Sequence, residues 1–271
     1  MVTTAFVFQG GGALSAPQVG MLRALHEAGI EPDFVVGSSA GALNAVAFAT
    51  NPTTAGLHSL EALWLRLRRR NVAGLSLPML ARAVFGRRDG LFDTSPLIDL
   101  LTSGFVAPLL EDASLPAYVV ATDLMTAEPV VLSHGDTVSA LLASSAFPGM
   151  YEPVQRDGMH LIDGGVSADI PVLQAEALGA TLTYVLPAAV SDDADAPPHG
   201  PLAMAYHALG QILDASARRD AAAAVGEVRL LPAATSPASN PLDFRETRRL
   251  IQDGYRLAID WLSRSTETLS A

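Results

Sequence analysis

The chain has 271 residues, of which 49% are hydrophobic and 17% charged, so it can bury a substantial core in one α/β domain. Its net charge of −11 argues against a nucleic-acid-binding protein, because such proteins neutralise phosphates with basic side chains. The same charge disfavours adsorption of the whole surface to an anionic membrane. The absence of cysteine excludes disulfides and thiolate chemistry.

The N-terminal residues MVTTAFVFQGGG have neither the basic start nor the long apolar run of a signal peptide. No stretch approaches the roughly eighteen apolar residues that a membrane-spanning helix needs. We therefore expect a cytoplasmic protein whose contact with a membrane, if any, is peripheral.

Strands and helices alternate from the start of the chain. Residues 4–9 form a β-branched and aromatic run that predicts a short buried strand, ended by three glycines. A helix is expected at 17–28, a second strand at 34–36 and a helix of small residues at 40–49. This order is typical of a parallel sheet covered by helices.

The same pattern continues to the end of the chain. Further strands are predicted at 117–121, 129–132, 182–186 and 228–231, and helices near 57–70, 136–146, 171–178, 201–224 and 245–263. The acidic, proline-rich stretch 191–201 predicts an exposed loop. We expect a three-layer α/β/α fold with a mainly parallel sheet, as a single domain over 1–271 with its core at about 4–190 and C-terminal helices at about 200–265.

The segment Gly37-Ser38-Ser39-Ala40-Gly41 fits G-x-S-x-G, in which a serine lies on a tight turn between a strand and a helix. Only Ser39 has glycines two positions before and two after it, so Ser39 is the candidate nucleophile. The helix that follows directs its dipole and free N–H groups at the reacting centre. The competing interpretation, a glycine-rich turn with Ser39 as a plain helix cap, is disfavoured by the predicted strand and helix on either side.

Gly10, Gly11 and Gly12 follow the first strand directly and offer backbone N–H groups that no side chain obstructs, as an oxyanion requires. If the first two strands are adjacent and parallel, this loop lies beside the Ser39 turn. A dinucleotide-binding turn is the alternative, but G-x-G-x-x-G would need glycine where Ser15 stands.

Asp163 ends an apolar run and precedes two glycines, within HLIDGGVSADIPV. Its carboxylate would be a weak base at an ordinary pKa of about 3.9, yet direct contact with a serine hydroxyl could compensate. Equally, the carboxylate could cap the backbone of its own Asp-Gly-Gly turn. The local sequence favours neither interpretation.

Together these motifs, with SSAFPGMYEPV at 144–154, resemble the patatin-like phospholipases over about residues 4–190. The resemblance implies a lipolytic serine acyl hydrolase of phospholipase A, lysophospholipase or esterase type, acting on a lipid or acyl ester without metal or cofactor. It implies a Ser–Asp dyad without histidine, in which Ser39 is the nucleophile and Asp163 the base. By the same resemblance the Gly10–Gly12 loop supplies the oxyanion donors.

Two positions depart from the family pattern. Leu14 and Ser15 stand where the family usually carries a basic residue and a glycine, which leaves open whether a cation assists the oxyanion or a lipid phosphate. Asp169 stands where the family tends to have asparagine before the proline. A second carboxylate near the base would raise its pKa if both are poorly solvated.

Parts of the sequence are compatible with other classes of function. A Ser-His-Asp hydrolase could use His199 or His207, but its nucleophile turn normally follows several strands rather than the second. Surface positions without function are favoured for these and for the remaining histidines, His26, His58, His134 and His160. No H-E-x-x-H spacing suggests a catalytic metal. A member that binds acyl chains or a protein without turnover stays open, although Ser39, Asp163 and the glycine loop are intact together.

Residues 64–92 concentrate seven of the seventeen arginines among leucine, methionine, phenylalanine and tryptophan. Such a mixture could rest on a lipid interface, with its arginines toward phosphates. An ordinary amphipathic helix with a solvated basic face is favoured over membrane binding. We nevertheless expect this segment to line the substrate entrance.

Overall fold

The computed structural model describes residues 2–74, 89–191, 200–237 and 240–269. Its strands are β1 (Thr4–Phe8), β2 (Phe34–Ser38), β3 (Ala117–Asp123), β4 (Pro129–Leu132), β5 (Val154–Arg156), β6 (Met159–Asp163), β7 (Leu182–Leu186), β8 (Val190–Ser191), β9 (Glu227–Leu230) and β10 (Thr235–Ser236). Its helices are α1 (Pro17–Glu27), α2 (Ala40–Thr50), α3 (Thr54–Arg66), α4 (Arg69–Val72), α5 (Ser95–Leu101), α6 (Thr137–Ser144), α7 (Gly165–Ala168), α8 (Val172–Ala177), α9 (Pro201–Ala223) and α10 (Thr247–Leu269). Short 3-10 turns occupy Gly12–Ser15 and Leu110–Asp112.

The central sheet has the order β5-β6-β3-β2-β1-β7-β9, and β4 pairs with β3 outside this path. The strands β3, β2, β1, β7 and β9 run parallel, whereas β4, β5 and β6 form antiparallel pairs. Strands β8 and β10 form a separate parallel pair. The predicted α/β fold with a mainly parallel central sheet is confirmed.

Side-chain alternation along β1 divides the core into two layers. Phe6 and Phe8 face a large apolar cluster formed with α1, α2 and α10. Ala5 and Val7 face a smaller cluster formed with α7 and α8. The sheet is therefore buried on both faces, as expected when helices cover a parallel sheet on both sides.

Helices α1 and α10 pack closely through two glycines. A Cβ added at Gly20 would overlap the carbonyl oxygen of Ile251, and one added at Gly254 would overlap that of Pro17. Each glycine thus lets the backbone of the other helix approach. This contact holds the C-terminal helix against the helix that follows the glycine loop.

Several elements differ from the sequence predictions. The helix expected at 57–70 ends at Arg66, because Leu67 adopts an extended conformation before α4 begins. The short antiparallel pair β5 and β6 was not predicted as two strands, since only its buried end is apolar. Residues 192–199 of the expected acidic loop and residues 75–88 of the basic segment lie outside the described residues.

Candidate active site

Ser39 occupies the turn between β2 and α2 with φ 51° and ψ −128°. Side chains rarely adopt such positive φ values, and holding one there costs on the order of 1–3 kcal/mol. A Cβ added at Gly41 would lie 2.5 Å from the carbonyl oxygens of Phe8 and Gln9, and one at Gly37 would lie 2.6 Å from the Gly41 oxygen. The two glycines of the motif therefore let the turn pack against the end of β1.

The register of β3 explains how Asp163 meets this turn. On the same side of β3, Val120 pairs with Ser38 of β2, and the next residue, Ala121, pairs with Asp163 of β6. Since β4 occupies the other side of β3, the end of β6 continues the position of β2 in the sheet. Asp163 therefore lies next to Ser38 along this side of β3, close to the Ser39 turn.

Both carboxylate oxygens of Asp163 accept hydrogen bonds. The Ser39 hydroxyl donates to Oδ2 over 2.7 Å. The backbone N–H of Gly165 donates to Oδ1 over 2.8 Å. The two interpretations of Asp163 at the sequence level are compatible, because one oxygen caps the Asp-Gly-Gly turn while the other contacts the serine.

The environment of Asp163 shifts it toward the neutral form. Only 3% of the residue is exposed, and this burial raises the pKa of Asp163 to about 7. The hydrogen bonds from Ser39 and Gly165 oppose the rise, and the charge of Asp169 adds to it. A carboxyl group with a pKa near 7 is a far better proton acceptor than one at its ordinary value.

Ser144, at the end of α6, fixes the backbone of the nucleophile. Its Oγ accepts the N–H of Ser39 over 2.8 Å and donates to the carbonyl oxygen of Val120 over 2.6 Å. The residue is fully buried. We did not single out Ser144 from the sequence, although it begins the SSAFPG motif.

The three glycines after β1 have different roles in the structure. The N–H of Gly10 donates to the carbonyl oxygen of Asp169 over 3.1 Å, so it is not free for a substrate. Gly11 and Gly12 have positive φ values of 152° and 58° and line the cavity at Ser39. Among the described residues, neither of their N–H groups has an acceptor, and the N–H of Ala40 is likewise unused as the first of α2. Of the three glycines expected to donate to an oxyanion, Gly11 and Gly12 therefore stay candidates and Gly10 does not. Ala40 is a further candidate donor that the sequence analysis did not name.

A buried hydrogen-bond network fixes the backbone at the start of the glycine loop. Gln18 of α1 donates to the carbonyl oxygens of Gln9 and Leu186, over 2.8 and 3.0 Å. Asn44 of α2 donates to Gln18 over 2.8 Å and accepts the indole N–H of Trp64 over 2.7 Å. We did not predict these contacts, because a polar side chain on a helix is usually placed toward solvent when its partners on other elements are unknown. Such networks rigidify a site when every member is satisfied.

Asp169 places a second carboxyl group close to that of Asp163. Its Oδ2 accepts a hydrogen bond from the Gln9 side chain over 2.8 Å. A Cβ added at Gly165 would lie 3.1 Å from Oδ1 of both Asp163 and Asp169, which shows how close the two carboxyl groups are. Burial raises the pKa of Asp169 to about 6, against the hydrogen bond from Gln9 and with a smaller contribution from the charge of Asp214.

Ser39 and Asp163 open into an apolar cavity of about 230 Å³. None of the described residues that line it is cationic, and its acidic members are Asp163 and Asp169. Leu14, which departs from the family pattern, contributes to the apolar wall, while the buried Ser15 donates to the carbonyl oxygen of Gln9. The remaining large side chains of the wall are Leu43, Trp64, Leu67, Val72, Leu97, Leu100, Phe147, Met150, Tyr151, Leu213, Leu242 and Phe244.

Histidine takes no part in the described portion of the site. His26 lies next to Thr54, and His58, His134 and His160 are exposed; none of the four lines the cavity. His199 and the side chain of His207 fall outside what the structure describes. Within the described residues there is also no cluster of three potential metal ligands.

Comparison with known proteins places the chain in a family. A family model described as patatin-like phospholipase matches residues 6–176, well over half of the chain. The chain belongs to the patatin-like phospholipase family. This is the family that the sequence motifs resembled.

Two relatives of the chain are much longer proteins. Patatin-like phospholipase domain-containing protein 7 of Rattus norvegicus is 26% identical over 201 residues, covering 72% of this chain but 14% of the rat protein. Lysophospholipase nte1 of Aspergillus terreus is 27% identical over 198 residues, covering 69% of this chain and 12% of its own length. The chain thus spans only a small part of these relatives.

A solved structure, that of VipD from Legionella pneumophila, has a similar fold. The match covers 97% of this chain and 67% of VipD, with a TM-score of 0.51 and 14% sequence identity. At that identity the likeness concerns the fold alone. In the described part of the chain, no helix is long and apolar enough to cross a membrane.

Proposed function

We propose that the protein hydrolyses carboxylic esters of single acyl chains with a Ser39–Asp163 dyad. The observation that carries this proposal is the 2.7 Å hydrogen bond from the Ser39 hydroxyl to a buried carboxylate at the end of an apolar cavity. Because the serine donates to the carboxylate directly, no imidazole stands between them as in a Ser-His-Asp triad. The protein is expected to act in the cytoplasm, with peripheral contact to lipid.

In the first half of the reaction, Asp163 takes the proton of Ser39 as its Oγ attacks the ester carbonyl carbon. The negative charge then forms on the carbonyl oxygen, where the N–H groups of Gly11, Gly12 and Ala40 can donate to it. Collapse of this intermediate breaks the ester bond. The proton held by Asp163 passes to the departing alkoxide, which leaves as an alcohol.

In the second half, water hydrolyses the acyl group on Ser39. Asp163, ionised again, accepts a proton from the water as its oxygen attacks the acyl carbon. The same N–H groups hold the second oxyanion. Ser39 then leaves with the proton from Asp163, and a fatty acid is released. Both halves need one base and one set of donors, the roles proposed for Asp163 and for the N–H groups of Gly11, Gly12 and Ala40.

The cavity favours an ester with one acyl chain. Its volume of about 230 Å³ is below the several hundred Å³ common for sites that enclose larger ligands. Its described wall is mainly apolar and contains two carboxyl groups but no cation, so a phosphate placed beside Ser39 would be repelled. These features support a lysophospholipid, a monoacylglycerol or a simple fatty ester whose polar group stays outside. The relative named a lysophospholipase is consistent with this class.

The proposal is tested by hydrolysis of p-nitrophenyl esters of increasing chain length, comparing wild type with Ser39→Ala and Asp163→Asn at equal folded concentration. Both substitutions should lower kcat by about a thousandfold or more, as in other enzymes whose nucleophile or base is removed. An unchanged kcat in Asp163→Asn would show that Asp163 is not the base. A folded wild type without activity on any ester would contradict the proposed function.

A further inference from the structure

A second cleft adjoins the active-site cavity and is lined by four arginines. We call it the arginine cleft and define it by Arg68, Arg69, Arg245 and Arg248. Arg68 lies between α3 and α4, and Arg69 is the first residue of α4. Arg245 lies just before α10, and Arg248 is in its first turn. The cleft therefore joins two parts of the chain that are more than 170 positions apart.

Positive charge dominates this cleft although the whole chain carries a net charge of −11. Its one acidic member, Asp243, pairs with Arg245 over 2.6 Å. Arg68 donates to the carbonyl oxygens of Leu65 and Leu67 rather than to a carboxylate. Within the described parts of the chain, Arg69 and Arg248 are exposed and contact neither an acidic group nor a hydrogen-bond acceptor.

The position of Arg248 makes the excess of charge costly. It is the second residue of α10, a helix of 23 residues. The N-terminus of a helix carries a partial positive charge, so an arginine there is disfavoured while a bound anion is favoured. Arginines that converge on this helix end from α3 and α4 add to the same potential. An anionic ligand would relieve the repulsion among them.

The location of the cleft indicates what kind of anion it meets. Leu242 and Phe244 line both the arginine cleft and the active-site cavity, so one wall separates the two. The cleft also includes Leu65, and its arginines are open to solvent. Apolar side chains beside exposed arginines match the boundary between acyl chains and phosphate headgroups.

We propose that the arginine cleft binds the phosphate headgroups of an anionic lipid surface and so positions the active-site cavity against that surface. This rests on the proposed function for its purpose, but binding can be measured without turnover. It differs from adsorption of the whole acidic protein, because the cleft combines four arginines with one acidic residue. Phosphates would bind outside the catalytic cavity, whose own wall repels them.

The test uses the full chain with Ser39→Ala, so that hydrolysis does not alter the lipid. Sedimentation with vesicles of phosphatidylcholine alone, or of phosphatidylcholine with phosphatidylglycerol, measures binding. Arg69→Gln with Arg248→Gln should weaken binding to the anionic vesicles by about thirtyfold, since each arginine near an anionic surface contributes about a factor of five. Arg218→Gln with Arg219→Gln removes the same charge from α9 and should leave binding unchanged. Thermal unfolding midpoints verify that all variants are folded.

Three results would overturn the proposal. Equal binding of the parent protein to both kinds of vesicle would show that anionic headgroups are not recognised. An equal loss in the α9 control would show that only overall charge matters. The third result is saturable binding of soluble glycerol phosphate by a protein that does not bind the vesicles. It would show that the cleft recognises a soluble anion and not a lipid surface. Absence of esterase activity in wild type would leave the vesicle result intact, so the two proposals fail separately.

Discussion

Asp163, the proposed base, can accept a proton only when its buried carboxyl group is ionised. Because its pKa is raised to about 7, the carboxyl is largely protonated in weakly acidic solution and cannot accept the Ser39 proton. The neighbouring Asp169 contributes to this rise through its negative charge. Asp169 is therefore expected to move the titration of Asp163 to higher pH than the dyad alone would show.

We predict that kcat/KM rises with pH to a plateau, with a midpoint near 7. Asp169→Asn removes the second charge and should move the midpoint to lower pH, while Gln9 can still donate to the amide oxygen. The measurement is a pH–rate profile on a soluble ester. Asp157→Asn removes an equal but exposed charge and serves as the control. An unchanged midpoint in Asp169→Asn would refute coupling between the two carboxyl groups.

The same burial affects stability in a defined direction. A carboxyl whose pKa rises from 3.8 to about 7 on folding binds protons more tightly in the native state. Its contribution to the free energy of unfolding is therefore largest below pH 4 and is lost as the pH rises to about 7. At 1.36 kcal/mol per pKa unit, the change over this interval is on the order of a few kcal/mol.

Denaturant unfolding at several pH values tests this linkage. Asp163→Asn should reduce the decline in stability between pH 4 and 7, because the buried group no longer ionises. Ser39→Ala should retain or steepen that decline, since it removes a hydrogen bond that lowers the pKa of Asp163. If Asp163→Asn and wild type lose stability in parallel, the carboxyl is not titrating in this range.

At the scale of elements, the contact between α1 and α10 is the tightest constraint on the C-terminal helix. Gly20→Ala should lower the free energy of unfolding by about 1–3 kcal/mol, because its methyl group would overlap the α10 backbone at Ile251. Gly210→Ala in α9 is the matched control. A methyl group there meets nothing within 4 Å, so better helix propensity should stabilise by up to about 1 kcal/mol.

Chemical denaturation of the two alanine variants gives both values. Opposite signs would show that close packing, and not helix propensity, decides the effect at Gly20. Stabilisation by Gly20→Ala would mean that α1 and α10 do not approach each other as the structure shows.

The elements that hold the nucleophile could be predicted because their signals are local. A strand followed by a glycine-rich turn and a helix occurs twice in the first fifty residues, which placed Gly11, Gly12 and Ser39 at one edge of the sheet. The pairing of β6 with β3 could not be predicted in this way, because the two strands are far apart in the sequence and no local pattern links them. The roles of Ser144 and Asn44 were hidden for the same reason, since their partners lie far away in the sequence.

For the whole molecule, the sequence indicated the α/β fold and the family, and both are confirmed. The division of the chain stays a prediction, with a core at about 4–190 and C-terminal helices in the same domain. The arginine-rich segment 64–92 was expected to line the entrance. Trp64, Leu67 and Val72 of its described part do line the cavity, while Arg68 and Arg69 lie in the neighbouring cleft.

The central claim is that Ser39 is a nucleophile activated by Asp163, and covalent labelling tests it most directly. A fluorophosphonate probe followed by peptide mass spectrometry should modify Ser39 in wild type, at a much lower rate in Asp163→Asn. Ser38→Ala, which removes the adjacent buried hydroxyl without a hydrogen-bond partner in the described structure, should keep the label. Labelling of Ser39 at the same rate in wild type and Asp163→Asn, or no labelling of folded wild type, would contradict the account.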